Sequence, residues 1–278
     1  MFSLIRRKLA HHKAKNNYKE YGTELREFIL PAYGTVQYAQ WLNPCESLKD
    51  ISGSRIGFFC KFVHSGDFAI DVGAHSGDTT IPLALAVGKQ GTVLALEPSP
   101  VVYKILFQNA NLNQDKTNII PLCAAATKYD GEFFYNSSEA TFNNGGISEK
   151  ANSRHGKYAL PEKVQGIHLG NYLRANYQNK LNRFSFIKID TEGDDYDVIL
   201  SLSGIINEVQ PIIVAECFRK LRNKARYGLF DYLFSCNYSV YHISDFTSAC
   251  VFTQMSRKDM AKWRAYDFCA FPHGKSPN

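Results

Sequence analysis

The segment Phe68–Glu97 constrains the fold of this chain more than any other part of the sequence. An apolar run reaches Val72, a glycine-bearing turn follows at residues 73–77, and a helical pattern comes next. A second apolar run, residues 92–96, stops at Glu97. Strand, glycine turn, helix and strand in this order predict a βαβ unit with two parallel strands.

The acids and glycines of this unit are placed as in a nucleoside-binding site. Gly73 and Gly77 permit a sharp turn that brings backbone close to a ligand. Asp71 precedes the turn, and Glu97 ends the second strand, where its carboxylate would accept hydrogen bonds from a ribose diol. A pyrophosphate gains nothing from Asp71 beside the turn, whereas S-adenosylmethionine (SAM) carries a ribose, an ammonium and a sulfonium but no phosphate. The pattern therefore predicts SAM rather than NAD, and an ordinary βαβ crossover with a glycine turn is the alternative.

Three more residues of the unit are candidate cofactor contacts. His75 lies inside the turn, as a cofactor contact or as a polar loop residue. Asp78 and Thr79 open the helix, where they are expected to cap it and to present backbone N–H groups to the methionine carboxylate.

Composition narrows the class of protein. The 278 residues are 45% hydrophobic and 21% charged, which is typical of a globular protein with a full core. The net charge of +6 permits an anionic substrate but lacks the clustered basic footprint of a nucleic-acid binder. The sequence has no apolar stretch long enough for a transmembrane segment and no secretory signal, and its seven scattered cysteines favour neither disulfides nor zinc. A cytoplasmic location is expected, and the oligomeric state is left open.

The chain divides into two parts. Residues 1–52 are predicted to form an N-terminal helical extension, with a helix over Lys13–Leu30 that Pro31 ends. Residues 53–278 alternate strand and helix patterns and predict a Rossmann-like α/β domain, with a mostly parallel sheet covered by helices on both faces.

A second informative block, FSFIKIDTEG, starts at Phe184. It reads as a buried strand that delivers Asp190 and Glu192 to its carboxyl end, next to Gly193. Ligands of open α/β sheets bind beyond the carboxyl ends of the strands. Because Asp71, Glu97, Asp190 and Glu216 all lie at the ends of predicted strands, the four acids are expected at that edge.

Together these blocks resemble the FkbM-type SAM-dependent methyltransferases. The matching pieces run in order from Phe68 to Cys217: IDVGAHSGDTTIPLA, VLALEPSPVVYKILFQNANLN, GGIS, FIKIDTEGDDYDVI and PIIVAEC. The resemblance implies a class I methyltransferase fold, with a seven-stranded sheet whose last strand is antiparallel. It also implies O-methylation of a hydroxyl on a sugar, glycan or secondary metabolite. One departure is His168-Leu169-Gly170, where the family often has a Leu-Asp pair.

Transfer of a methyl group to a hydroxyl benefits from a general base. Asp190 is the first candidate, and Glu192 could share the task or bind the acceptor. His155 is a further candidate base and directly follows a polar segment, residues 141–154, that is predicted to be a mobile loop near the site. No metal-ligand spacing is present, so no metal is assigned, although Asp190, Glu192 and Glu216 could offer oxygen ligands to Mg²⁺.

Three other interpretations stay open. Lys188 could serve as the base of an RNA ribose 2′-O-methyltransferase. The chain could be a non-catalytic interaction subunit with a SAM fold. The N-terminal residues Phe2, Leu4, Ile5 and Leu9, beside basic residues, could lie peripherally on an anionic membrane surface.

Overall fold

The computed structural model describes residues 2–151 and 155–277. The elements of the first half are, in chain order, α1 (Phe2–Asn16), β1 (Thr23–Leu30), β2 (Gly34–Trp41), α2 (Gly53–Phe59), β3 (Phe68–Val72), α3 (Thr80–Val87), β4 (Thr92–Leu96), α4 (Pro100–Leu112), β5 (Ile119–Leu122), β6 (Ala125–Thr127) and β7 (Gly131–Ser137). Those of the second half are β8 (Gly145–Ser148), β9 (Tyr158–Ala159), β10 (Val164–His168), α5 (Leu169–Tyr177), β11 (Phe184–Ile189), α6 (Asp195–Ser201), α7 (Ser203–Val209), β12 (Ile212–Cys217), α8 (Asn223–Ser235), β13 (Tyr238–Ile243), β14 (Phe252–Gln254) and β15 (Tyr266–Pro272). Short 3₁₀ turns precede β11 and β15.

The main sheet has eight strands in the order β14-β13-β15-β12-β11-β3-β4-β5. The pairs from β12 to β5 are parallel, whereas β15 is antiparallel to both of its neighbours. The predicted Rossmann-like fold is therefore confirmed, with the last strand antiparallel. The predicted seven strands are joined by an eighth, β14, on the outer edge of β13. Three mostly exposed residues carry no hydrophobic period, so β14 left no signal in the sequence.

Helices cover both faces of this sheet. Strands β3 and β4 are buried at every position, as expected for parallel strands between two helical layers. Helices α2 and α3 pack on one face around Phe58 and Leu83. Helices α5 to α8 pack on the other face, with Leu173, Val198 and Leu229 in the core. The chain order reverses between β3 and β11, and a crevice opens at such a switch point.

The N-terminal extension is only partly helical. The predicted helix over Lys13–Leu30 is wrong from Asn17 onward, because α1 ends at Asn16 and residues 23–30 form β1, an antiparallel partner of β2. Tertiary contacts account for the strand conformation of residues 23–30. Strand β2 is held in place by its buried Val36 and Tyr38, and β1 pairs with it to complete the hairpin. Mixed three- and four-residue spacing in the sequence did not reveal this non-local pairing. The boundary at residue 52 stays a prediction.

A second, smaller sheet lies beside the carboxyl edge of the main one. Strands β6, β10, β7 and β8 are neighbours in that order, and β9 also pairs with β7. Strand β7 forms an antiparallel hairpin with β8, Gly145–Ser148. The polar segment predicted as a loop is therefore partly a strand, and its residues 152–154 lie outside the described part of the chain.

Two predictions about membranes concern the N-terminus and the helices. The structure describes no side chains for residues 1–7, so most of the proposed membrane-surface segment lies outside the described residues. Across the described ranges, no helix has the length and apolarity needed to cross a bilayer.

Candidate active site

A cavity of about 380 Å³ opens beyond the carboxyl ends of β3, β4 and β11. Its volume lies in the range of small-molecule sites. One wall is the turn after β3, residues 73–79, and another is the segment 143–147 of the second sheet. The N-terminal extension contributes a third wall, residues 45–49.

Gly73 is required by its contact with the neighbouring strand. Its φ of +74° lies in the left-handed region, and a Cβ atom there would stand 1.8 Å from the backbone oxygen of Asp190. The amides of Gly73 and Ala74 both donate to the Leu96 carbonyl, at 3.0 and 2.9 Å. The turn is therefore clamped between the ends of β4 and β11, with no room for a side chain.

Glu97 faces this turn. The buried carboxylate accepts from the backbone N–H of His75 at 3.0 Å and from that of Ser99 at 2.8 Å, one donor to each oxygen. Burial raises the pKa of Glu97, and the two backbone donors and His75 act against that rise. Each carboxylate oxygen keeps a lone pair for a further donor, as hydrogen bonds from a ribose diol require.

His75 joins the glycine turn to the second sheet. Its φ is +50°, which is uncommon for a residue with a side chain. Its Nε2 lies 2.7 Å from the carbonyl oxygen of Asn143 and 3.9 Å from a carboxylate oxygen of Glu46. The side chain therefore bridges two walls of the cavity.

Asp71 lies beneath the turn rather than in the cavity. It is fully buried, and its Oδ2 accepts a 2.7 Å hydrogen bond from the Thr80 hydroxyl. Its Oδ1 is 3.4 Å from the ammonium of Lys188. Burial raises the pKa of Asp71, although Lys188 and Thr80 oppose the rise. Asp71 thus supports the turn from below.

Lys188 is a buried cation between strands. Its Nζ donates to the Gly73 carbonyl at 3.2 Å and lies 3.4 Å from Oδ2 of Asp190. Burial alone would lower the pKa of Lys188, but the carboxylates of Asp71 and Asp190 outweigh burial and raise it. The side chain is therefore held as an ammonium.

Asp78 and Thr79 stand where α3 begins. Asp78 lies 3.7 Å from Lys49, which follows β2, and 3.5 Å from Arg55 of α2. Burial would raise the pKa of Asp78, yet Lys49 and Arg55 lower it below its usual value. Thr79 is the residue before the helix, but its side chain makes no capping hydrogen bond.

Asp190 and Glu192 lie where β11 ends. The Asp190 side chain is 45% exposed, which leaves its second oxygen open to a ligand. Glu192 has a φ of +58° and accepts a 2.9 Å hydrogen bond from Asn144. Burial is the main cause that raises the pKa of Glu192, and Asp190 adds to it.

An acidic group lies behind these two residues. Burial and the neighbouring carboxylates, Asp190 first, raise the pKa of Asp195 to about 7, that of Glu216 to about 8 and that of Asp267 to about 6. Asp195 accepts from the backbone N–H groups of Thr191 and Gly193, both at 3.1 Å, and so holds the loop after β11 in shape.

Most of the predicted site residues do meet in one cavity. Those that line it are Gly73, His75, Asp78, Thr79, Glu97, Asp190 and Glu192. Asp71 and Gly77 do not line it, because Asp71 lies underneath and Gly77 packs toward α4, where a Cβ would approach Leu106 to 3.2 Å. His155 also lies outside this cavity, with its ring against Gly146.

Sequence reasoning did not identify the residues that the extension contributes to the cavity. Glu46 and Lys49 line the cavity and interact at 2.9 Å. Tyr38 is buried and donates to the Ser76 hydroxyl at 2.7 Å. Neither residue type nor spacing marks these positions, since a hairpin misread as a helix brings them there.

The cavity is rich in negative charge. Its carboxylates are Glu46, Asp78, Glu97, Asp190, Glu192 and Asp194, against the cations Lys49 and Lys188. Such a surface suits a ligand with cationic groups. In the described ranges, Asp190, Glu192 and Glu216 are not among the side chains whose ligand atoms converge within 4.8 Å of one another.

Several solved structures are similar to this chain. An FkbM methyltransferase from Methylobacillus flagellatus is 15% identical with a TM-score of 0.48, and the match covers 74% of this chain but only 43% of that one. A SAM-dependent O-methyltransferase from Thermotoga maritima is 14% identical with a TM-score of 0.42, covering 90% of this chain and 78% of that one. The M. jannaschii TYW2 structure, in complex with AdoMet, is 12% identical with a TM-score of 0.43, and the match covers 91% of this chain and 86% of that one.

No curated protein matches the chain. Because the three TM-scores lie below 0.5, the assignment rests on the family model instead. The model described as the methyltransferase FkbM domain matches residues 71–240, which is more than half of the chain and includes both informative blocks. The chain therefore belongs to the FkbM methyltransferase family.

Proposed function

We propose that this protein is a SAM-dependent O-methyltransferase that transfers a methyl group to a hydroxyl of a sugar, a glycan or a secondary metabolite. The observation that carries the proposal is the position of Glu97. Its carboxylate faces a glycine turn in an acid-rich cavity, with one backbone donor to each oxygen and lone pairs left for a diol.

The residues present fit this cofactor. Glu97 would bind the ribose hydroxyls, and the turn from Gly73 to Thr79 would follow the methionine end. Glu46 and Asp78 supply negative charge for the ammonium group, and Lys49 supplies a cation for the carboxylate. When bound, SAM supplies an electrophilic methyl group on a sulfonium.

The acceptor would lie beside Asp190 and Glu192. A sugar hydroxyl becomes a better nucleophile as it loses its proton, so a carboxylate in hydrogen-bond reach assists the transfer. Lys188 holds one oxygen of Asp190 and leaves the other free to orient the hydroxyl. Glu192, whose pKa is raised by burial, would share with Asp190 the task of accepting the proton.

The ribose 2′-O-methyltransferase alternative is less well supported. It needs Lys188 as a neutral base, but two carboxylates at 3.4 Å raise the pKa of Lys188 and keep it protonated. The net charge is +6, but the sequence lacks the clusters of lysine and arginine that binding of an RNA backbone requires.

Calorimetric titration with SAM and S-adenosylhomocysteine tests the cofactor. The wild type should bind both, and Glu97→Ala should weaken binding by about 10- to 100-fold, as expected for lost hydrogen bonds to a charged group. The exposed Glu24 is a matched control, and Glu24→Ala should bind as the wild type does. If the wild type binds neither compound, the non-catalytic subunit becomes the better interpretation.

A screen with methyl-labelled SAM tests the acceptor. Label should pass to hydroxyl-bearing sugars or metabolites and stay bound through alkaline treatment that cleaves methyl esters. Label on amino or carboxyl groups instead would contradict O-methylation of a hydroxyl while leaving the cofactor assignment intact.

A further inference from the structure

His11, Cys45 and Glu139 converge where α1 meets the rim of the cavity. An imidazole nitrogen, the Cys45 Sγ and a carboxylate oxygen all lie within 4.8 Å of one another. Among the residues that the structure describes, this is the one group of three such side chains at that spacing. The ligand atoms come from α1, from the turn after β2 and from the turn after β7.

Backbone contacts already hold these three segments together. The Ala140 amide donates to the Lys15 carbonyl at 2.9 Å, which fastens the turn that carries Glu139 to the last turn of α1. The Cys45 amide donates to the Asn43 side chain at 3.0 Å, and Asn143 donates to the Cys45 carbonyl at 3.4 Å. Backbone contacts therefore hold the three segments in place, and the Cys45 thiol also donates to the His11 carbonyl at 4.0 Å.

Glu139 gives a second, independent observation. Its Oε2 is buried and has no donor in good hydrogen-bond geometry, and the Cys45 thiol interacts with the same carboxyl. A buried carboxylate oxygen without a donor is costly, and native proteins rarely leave one unsatisfied. A cation between the three side chains would satisfy this oxygen.

We propose that His11, Cys45 and Glu139 bind a Zn²⁺ ion. Imidazole, thiolate and carboxylate are the ligands that Zn²⁺ takes in proteins, whereas Mg²⁺ and Ca²⁺ take oxygen ligands alone. Tetrahedral bonds of roughly 2.0–2.3 Å place ligand atoms about 3.5 Å apart. Side-chain rotations that move the three ligand atoms by about 1 Å would therefore bring them to bonding distance of one ion. Binding converts the Cys45 thiol to a thiolate with release of its proton, and water fills the fourth position.

The ion would fasten α1 to the cofactor cavity. Cys45 lines that cavity, and its carbonyl accepts from Asn143, whose own carbonyl lies 2.7 Å from the His75 ring. The site is separate from the methyl-transfer residues, so its role is structural. No motif in the sequence marks this site, since the three ligands lie far apart in the chain.

Titration of the full-length reduced protein with Co²⁺, a spectroscopic substitute for Zn²⁺, tests the site. One equivalent should produce a thiolate-to-cobalt absorption band in the near ultraviolet, and Zn²⁺ should displace it. Cys45→Ser should abolish the band, and His11→Ala or Glu139→Gln should weaken Zn²⁺ binding by at least about 10-fold, because even the loss of a residue that only supports a ligand costs about 10- to 100-fold.

The chain supplies matched controls. His12 is exposed next to His11, and Cys60 is an exposed free cysteine elsewhere, so His12→Ala and Cys60→Ser should keep the band. Zn²⁺ should also raise the unfolding temperature of the wild type but not of Cys45→Ser. Absence of the band in the wild type, or a band that survives Cys45→Ser, would overturn the proposal.

Discussion

The ammonium of Lys188 lies 3.4 Å from the carboxylate of Asp71, and both side chains are buried in adjacent parallel strands. The two residues stand directly opposite each other in the register of β11 and β3. Lys188 also contacts Asp190 and the Gly73 carbonyl. Lys188 thus connects Asp71, which supports the turn after β3, to Asp190, a candidate catalytic residue.

Lys188→Met should therefore destabilise the protein strongly. The substitution leaves Asp71 buried without its cation, and breaking such a pair costs about 3–5 kcal/mol. Urea unfolding at neutral pH measures the loss. The exposed Lys224 is the control, and Lys224→Met should change the unfolding free energy by less than about 0.5 kcal/mol.

The double variant Lys188→Met/Asp71→Asn separates charge from packing. It should recover part of the loss, because the uncompensated carboxylate is removed. No recovery would show that Lys188 acts through packing rather than through its charge.

Gly73→Ala should destabilise the protein by about 3 kcal/mol or more. Left-handed backbone costs roughly 1–2 kcal/mol, and the clash of the new Cβ with the Asp190 carbonyl adds to it. Thermal and urea unfolding measure the change. Gly34 has a similar φ of +69° with no atom within 4 Å of its Cβ position, so Gly34→Ala should show only the backbone cost. Equal losses in the two variants would contradict a steric role for Asp190.

Asp190→Asn and Glu192→Gln should each lower kcat of methyl transfer by about 10²- to 10⁴-fold, the usual contribution of a general base. Binding of S-adenosylhomocysteine should stay within about twofold, because neither residue is assigned to the cofactor. The exposed Glu132 is the control, and Glu132→Gln should keep full activity. A loss of cofactor affinity equal to the loss of rate would place these residues in the cofactor site instead.

The pH profile adds a separate check on Glu192. Burial raises the pKa of Glu192 above its ordinary value of 4.5, so the rate should fall as pH drops through that raised value. Glu192→Gln should remove this limb from the profile, while the wild type and Glu132→Gln should keep it.

Glu216 should make the folded state less stable as pH rises. Its pKa is raised from 4.5 to about 8, so the folded protein holds a proton that the unfolded chain has lost between those values. Its contribution is therefore fully present below pH 4.5 and is lost as pH rises toward 8. Unfolding free energies across this range should show the wild type losing stability relative to Glu216→Gln. A constant difference between the two proteins would mean that Glu216 titrates normally.

The sequence by itself determined the central architecture and the place of the site. The informative signals are local, because strand burial and turn chemistry depend on adjacent residues. They are the apolar runs of β3, β4 and β11, the glycine turn, and the acids at the ends of these strands. They predicted the Rossmann-like fold, and seven of the nine predicted site residues line one cavity.

Only the tertiary structure decided the rest. It turned residues 23–30 into a strand, brought Glu46 and Lys49 to the cavity, and buried Lys188 between two carboxylates. It also moved Asp71 from the expected cofactor contact to a support beneath the turn. These outcomes depend on partners distant in the chain, and the burial and charge that such partners impose leave no periodic pattern in the sequence.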